Sequence, residues 1–189
     1  MSLAYATERT LTHPGPIRRW TQLVSYTTPP AGAITFTRSN NSYITALDYN
    51  DFQLTSSGGA GWNSNVWSDQ GANTGTVTFT MGSSSYANMV GLSYFANIGT
   101  GKVGYAYVNF GISMQAGGTT QIYNSGGGGA GAGSWTTGTV ITFTWTNTLV
   151  SYYNGSTLVS TLGKTAGSPI YTNVCFNDVN ARSTIVLTI

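Results

Sequence analysis

Charge is what this chain has least of: seven Lys and Arg and five Asp and Glu in 189 residues, 6% of the total. Soluble domains carry about a quarter. The cations are scattered, with Arg18-Arg19 the one adjacent pair, and two neighbours make no stripe that could track phosphates. Nucleic acid is therefore not expected as a partner. The acidic set is Glu8, Asp48, Asp51, Asp69 and Asp178, and no two of these are separated by a single residue. The paired carboxylates that a glycosidase sets at alternate positions of one strand are missing. Asp48 and Asp51, three apart, would point to opposite faces of a shared strand, and they read more simply as turn residues. His13 is the one histidine and has no Cys or carboxylate beside it, which leaves neither a Ser-His-Asp triad nor a zinc site to build. No catalytic residue, metal site or cofactor is expected.

Cysteine is almost absent too. Cys175 is alone, which excludes an internal disulfide, and its apolar surroundings (Tyr171-Thr-Asn-Val-Cys-Phe176) suit a buried small hydrophobe better than a nucleophile. No apolar run approaches the roughly 20 residues that span a bilayer, so no membrane partner is expected. The N-terminus lacks the apolar core of a secretory signal. That points to release by another route, such as a virion, or to a signal already removed, and so to a virion surface or an extracellular location. Convincing helix periodicity is missing throughout.

What remains is 40% hydrophobic, with 25 glycines and only five prolines. The surface must then be built from Ser, Thr, Asn, Gln and Gly: neutral, rich in hydroxyls and amides, and weakly sensitive to salt. Strand patterns are frequent. In Val140–Val159, apolar Ile141, Phe143 and Trp145 alternate with Thr142, Thr144 and Thr146; Val150 and Tyr152 resume the pattern. Asn154-Gly155 then supplies the positive-φ pair of a two-residue hairpin. Further strands are expected at 21–26, 33–37, 43–47, 51–55, 65–68, 76–81, 89–95, 104–110, 111–116, 119–123, 139–146, 149–153, 157–162, 171–177 and 183–189. Many short strands at regular spacing predict an all-β, two-sheet antiparallel β-sandwich or jelly roll over residues 21–189. Residues 1–20, with Pro14-Gly15-Pro16, read as an extended N-terminal arm able to clasp a neighbour. The glycine tract 126–133 is expected to be a mobile loop, since a phosphate loop would need a following helix and a Lys-Ser/Thr pair.

The ordered series Gly61-Trp62-Asn63, Thr76–Phe79, Asn88-Met-Val-Gly-Leu-Ser93, Tyr105–Gly111, Gln121–Ser125, Thr137–Val140 and Val150–Gly155 resembles the concanavalin A-like lectin/glucanase superfamily, in particular its SPRY-like and bacterial or phage branches. The resemblance covers about residues 50–165. Thr139 stands where members often carry Asp, a residue that supports a turn. The resemblance implies two face-to-face sheets of six or seven strands. The core would draw on Phe79, Val90, Leu92, Tyr105, Tyr107, Ile112, Ile122, Ile141, Phe143, Trp145, Val150 and Tyr152. Binding would occur at a loop rim or on the concave sheet. The fold hosts enzymes, lectins and interaction modules alike, so it names no function by itself.

Candidate binding residues are Trp62, Asn63, Asn65, Trp67, Tyr86 and Trp135, aromatic rings and amides beside Gly and Ser. Rings stack on the C–H faces of sugars while amides meet the hydroxyls. Trp62, Trp67 and Trp135 have a second reading as residues packed into the sandwich. The expected role is non-catalytic recognition on a virion or phage appendage, with a carbohydrate or protein receptor as partner and self-association through the arm. Alternatives are a secreted lectin-like carbohydrate-binding module and a SPRY-like protein-interaction domain, whose nearly uncharged loops would fit a neutral peptide. Asn40-Asn41-Ser42 and Asn154-Gly155-Ser156 match the N-glycosylation pattern, the second on an exposed turn.

Overall fold

The computed structural model describes residues 29, 33–39, 42–99 and 101–189. The expected arm (1–20), the expected strand at 21–26 and Asn40-Asn41 of the first glycosylation motif lie outside the described residues. Alternating sequence becomes strand as β1 (Phe36–Arg38), β2 (Ile44–Asp48), β3 (Asp51–Leu54), β4 (Ser64–Ser68), β5 (Gly75–Met81), β6 (Asn88–Tyr94) and β7 (Phe110–Met114). The chain continues through β8 (Thr119–Asn124), β9 (Gly127–Ser134), β10 (Val140–Trp145), β11 (Leu149–Asn154), β12 (Thr157–Gly163), β13 (Ile170–Phe176) and β14 (Arg182–Thr188). The first sheet has the order β1-β4-β13-β6-β7-β8-β9 and the second β12-β11-β10-β5-β14-β3-β2. Among the described residues the two pack face to face as an all-antiparallel, concanavalin A-like β-sandwich of seven strands each.

Period-two alternation decides what is buried. Val66, Val90, Leu92, Ile112, Val174 and Phe176 of the first sheet meet Val77, Phe79, Ile141, Phe143, Val150, Tyr152 and Ile185 of the second in one apolar core. The threonines between them point outward. The β11–β12 turn differs from expectation by one residue: Asn154 and Thr157 are register partners, and the loop is Gly155-Ser156 with φ +59° at Gly155. Asn154 is thus a strand residue whose Nδ2 donates to the carbonyls of Ala132 and Ser134 at 2.9 Å each. Its amide is hydrogen-bonded at the strand end, and the exposed turn of this motif is Gly155-Ser156. Thr139 supports its turn as the missing Asp would, because its hydroxyl accepts from the Thr136 amide at 2.9 Å.

Two further expectations are corrected. The glycine tract is an ordered edge strand, β9, entered by a Ser125-Gly126 turn (φ +49° and +83°) and anchored inward by Ala132 and Trp135, 2% and 3% exposed. Backbone ladder bonds need no side chains, and β9 makes them with β8 through two register shifts that glycine tolerates. Residues 104–109 are not strand: Tyr105–Tyr107 is a 3-10 turn, and both tyrosines leave the core. Asp48 and Asp51 are turn residues, as expected: they close the β2–β3 turn as register partners.

Tyr152 is fully buried, and its hydroxyl has no hydrogen-bond partner among the described residues. Burial pushes its phenol far above the ordinary range, so it stays neutral. Tyr152→Phe removes a polar group that is desolvated without return. Thermal melting is expected to show unchanged stability or a gain of up to about 1 kcal/mol. A loss larger than that would mean the hydroxyl does find a partner.

Candidate functional site

The same alternation gives the first sheet an outer face made of Asn65 and Trp67 of β4, Met89, Gly91 and Ser93 of β6, Tyr171, Asn173 and Cys175 of β13, and Tyr123 of β8. Residues 95–99 and 101–109 fold back across this face through two 3-10 turns, Phe95–Asn97 and Tyr105–Tyr107. They come close because Gly91 and Gly111 are register partners with no side chain between them and Val108.

A buried polar chain holds the segment down. Asn65 Nδ2 donates to Asn173 Oδ1 and Asn173 Nδ2 to Ser93 Oγ, both at 2.9 Å. Asn65 Oδ1 accepts from the Gly104 amide and Ser93 Oγ donates to the Tyr107 carbonyl, both at 2.7 Å. Asn109 fixes the near end: its Oδ1 accepts from the Tyr94 amide (3.0 Å) and Asn97 Nδ2 (2.8 Å). Each donor and acceptor is answered, which a buried polar network needs in order to stabilise. Cys175 lies under this cover, fully buried, its Sγ 3.6 Å from the Trp62 carbonyl, and burial pushes its thiol well up.

Two aromatic clusters stand where the segment meets solvent. Trp62 has φ +67°, a left-handed conformation that costs a bulky residue energy. The Gly61 amide donating to Asn177 O and Asn63 Nδ2 donating to Ala60 O, both at 2.8 Å, hold that turn. The Trp62 ring meets Tyr105 edge-on (5.8 Å, 70°), and Tyr105 meets Tyr123 the same way (5.9 Å, 79°). Lys102 Nζ sits 5.4 Å from the Tyr107 ring. At the other end Phe95, 69% exposed, tilts over Tyr171 at 5.7 Å. Beside it a groove of about 490 Å³ runs between Tyr94, Phe95, Thr165 and Pro169. The Tyr94 hydroxyl accepts from the Thr165 amide at 2.9 Å and sets the groove wall.

The six residues expected to bind a ligand do not converge. Trp62 is half-buried in the aromatic strip with exposed Asn63 beside it, and Asn65 is fully buried as the post beneath. Trp67 (7% exposed) is covered in the middle of β4. Tyr86 packs against the main core. Trp135 is a core residue whose Nε1 donates to the Gln115 carbonyl at 2.9 Å. Sequence reasoning missed Phe95, Tyr105, Tyr123 and Tyr171. The available signal was Gly91 and Gly111 inside strand patterns, which mark close approach of another backbone.

Among the described residues no group of three or more His, Cys, Asp or Glu could hold a metal ion. The acids have other work. Buried Asp51 is clasped by Arg182 through Nε (2.9 Å) and Nη2. Asp69 accepts from Thr37 Oγ1 at 2.6 Å, and Asp178 from the Ala87 amide at 2.7 Å.

No family model and no curated protein matches the sequence. Solved structures do match. The TRIM65 PSpry domain superposes with a TM-score of 0.59 at 14% identity, over 81% of this chain and 88% of that one. Stonustoxin gives 0.54 at 12% identity over 82% of this chain, and a sialidase 0.52 at 8% over 73%. This chain spans only 28% of the stonustoxin chain and 15% of the sialidase chain. Likeness at such identities is likeness of fold. The chain has the concanavalin A-like jelly roll of SPRY domains.

Proposed function

We propose that this chain is a non-catalytic recognition module that binds a protein partner through the aromatic residues carried on and beside segment 95–109. The observation that carries this reading is Phe95, 69% exposed over Tyr171, with the Trp62–Tyr105–Tyr123 strip on the same sheet face. Tyr, Trp and Phe are the residues on which protein interfaces concentrate their binding energy. Lys102 is the single charge in the segment, so the partner is a neutral, apolar or aromatic peptide surface. The resemblance to SPRY-like modules implies peptide reading through loops, and a loop segment carries these rings.

Glycan binding is the second reading. It fits the amide-rich surface but needs an open ring face, and each edge-to-face contact of the strip takes up one face of one of its two rings. Display on a virion or phage appendage, and assembly through residues 1–20, belong to the same proposal as its setting, supported by the uncharged composition.

Selecting ligands for the immobilised protein from a displayed random-peptide library is expected to return uncharged, aromatic-containing peptides. Calorimetry should then find them at least tenfold weaker (~1.4 kcal/mol) toward Phe95→Ser and Tyr105→Ser, with melting temperatures unchanged. Ligands indifferent to both substitutions, or an empty selection beside a positive glycan array, would overturn the reading.

A further inference from the structure

Asn154-Gly155 is the chain's one Asn-Gly pair. In such a pair the backbone can attack its own side chain, because glycine has no Cβ to keep its amide nitrogen from the preceding carboxamide. Here both reacting groups are hydrogen-bonded. Gly155 N donates to the Val140 carbonyl at 2.9 Å. Asn154 Nδ2 donates to the Ala132 and Ser134 carbonyls, also at 2.9 Å each. The backbone fits closely around that carboxamide: a Cβ on Gly133, whose φ is +93°, would stand 3.2 Å from Nδ2.

The two carboxamide bonds join the sheets. Ala132 and Ser134 belong to β9 of the first sheet and Asn154 to β11 of the second. The ladder that ties β9 to β8 is interrupted by two register shifts, so a fastening from the other sheet adds to a weak attachment. It acts where Ala132 and Trp135 enter the core.

We propose that Asn154 is a deamidation site whose reaction the folded turn restrains, and whose conversion unfastens β9 from the second sheet. The reaction needs only base and water. When the β11–β12 turn opens, Gly155 N gives its proton to hydroxide and attacks Asn154 Cγ. The N–Cγ bond forms, the Cγ–Nδ2 bond breaks, and Nδ2 takes a proton from water and leaves as ammonia. One water then opens the succinimide at either of its ring C–N bonds, which leaves an aspartate or an isoaspartate linkage. Nothing is oxidised or reduced. The Nδ2 donor is gone, and a carboxylate oxygen takes its place before two carbonyl oxygens, an arrangement that repels. Fastening and reactive group are the same side chain. The closed turn slows the reaction, and the reaction keeps the turn from closing as before.

The test holds the full chain in mildly alkaline buffer, folded or in urea, and follows conversion at Asn154 by mass spectrometry of the proteolytic peptide that contains it. Conversion in urea is expected to be at least ~tenfold faster than in the folded chain, since the folded chain reacts only while the turn is open. Asn154→Asp reproduces one product. In that variant the Trp135 amide, which donates to the Gly118 carbonyl at 2.8 Å, should exchange its hydrogen at least ~tenfold faster than in the wild type, while the amides of β10 keep their protection. The melting deficit of Asn154→Asp should shrink as the pH falls, because a protonated carboxyl can again donate to one of the two carbonyls. Equal conversion in folded and unfolded chains would overturn the restraint. Absence of conversion in urea would overturn the site, and unchanged exchange at Trp135 would overturn the fastening.

Discussion

Adding one methyl group at Gly91 is expected to lower stability by roughly 3 kcal/mol and to loosen segment 95–109 from the sheet beneath it. A Cβ on Gly91 would stand 2.1 Å from the Phe110 carbonyl oxygen, 2.8 Å from Gly111 Cα and 2.9 Å from Val108 Cγ1. The first two are backbone atoms of the neighbouring strand and cannot rotate away. Relief requires β6 and β7 to separate or Val108 to lift, and Val108 is the apolar foot of the segment that carries Tyr105 and Tyr107. Gly111→Ala is the control. Its Cβ meets only side chains, Val108 Cγ1 at 2.9 Å and Met89 Sδ at 3.2 Å, and a methionine adapts readily. Thermal melting should place Gly91→Ala roughly 6–12 °C below the wild type and Gly111→Ala much nearer to it. Cys175 reports the local event: buried beneath the same cover with its thiol pushed up, it reacts with a maleimide only when the cover opens. Labelling of Gly91→Ala should accelerate even in conditions where the body remains folded. If the two variants melt within a degree of each other, the Gly91–Gly111 pair does not set the fit of the segment.

The sandwich was legible because alternation is a local property. Ile141, Phe143, Trp145, Val150 and Tyr152 alternate with threonine and serine, and period two leaves those large side chains one face to share. The site was much less legible, for a physical reason. Alternation tells the two faces of a strand apart but not whether the second face meets water or another piece of chain. Trp67 and Asn65 alternate with Val66 and so belong to the outer face, yet both are buried, Asn65 beneath the Gly104 amide that it holds. Tyr105 and Tyr107 have strand spacing, and what turns Tyr105–Tyr107 into a 3-10 turn is long-range: the Asn65 and Ser93 side chains capture the Gly104 amide and the Tyr107 carbonyl. β9 was missed for the opposite reason. Its glycines carry no pattern, and only the partner β8 and the burial of Ala132 and Trp135 select the extended form. Asp48 and Asp51 were legible as turn residues, but that the two-residue turn between them makes them cross-strand neighbours was not. The distance between two side chains cannot be inferred from spacing until the turn is known.

Phe143→Ala should cost more than any surface change, about 3–5 kcal/mol. Phe143 is fully buried in β10, faces Tyr152 of β11 in direct register, and meets the Phe79 ring edge-on at 5.8 Å and 90° and the Tyr152 ring at 4.9 Å and 58°. Truncation removes the central ring of three, so both aromatic contacts are lost together with the buried area. The hole is lined by β-strands whose ladders resist collapse, since β10 is hydrogen-bonded on both sides, to β5 and to β11. Single domains are stable by only about 5–15 kcal/mol, so the loss is a large fraction of the whole, and the melting temperature should fall by roughly 6–20 °C. Phe143→Leu keeps most of the volume and should cost well under half as much. The ratio of the two losses matters more than either alone. A cavity mechanism requires alanine to be far worse than leucine, with the slope of denaturant unfolding unchanged in both. Equal losses would place the damage in the aromatic contacts rather than in the void.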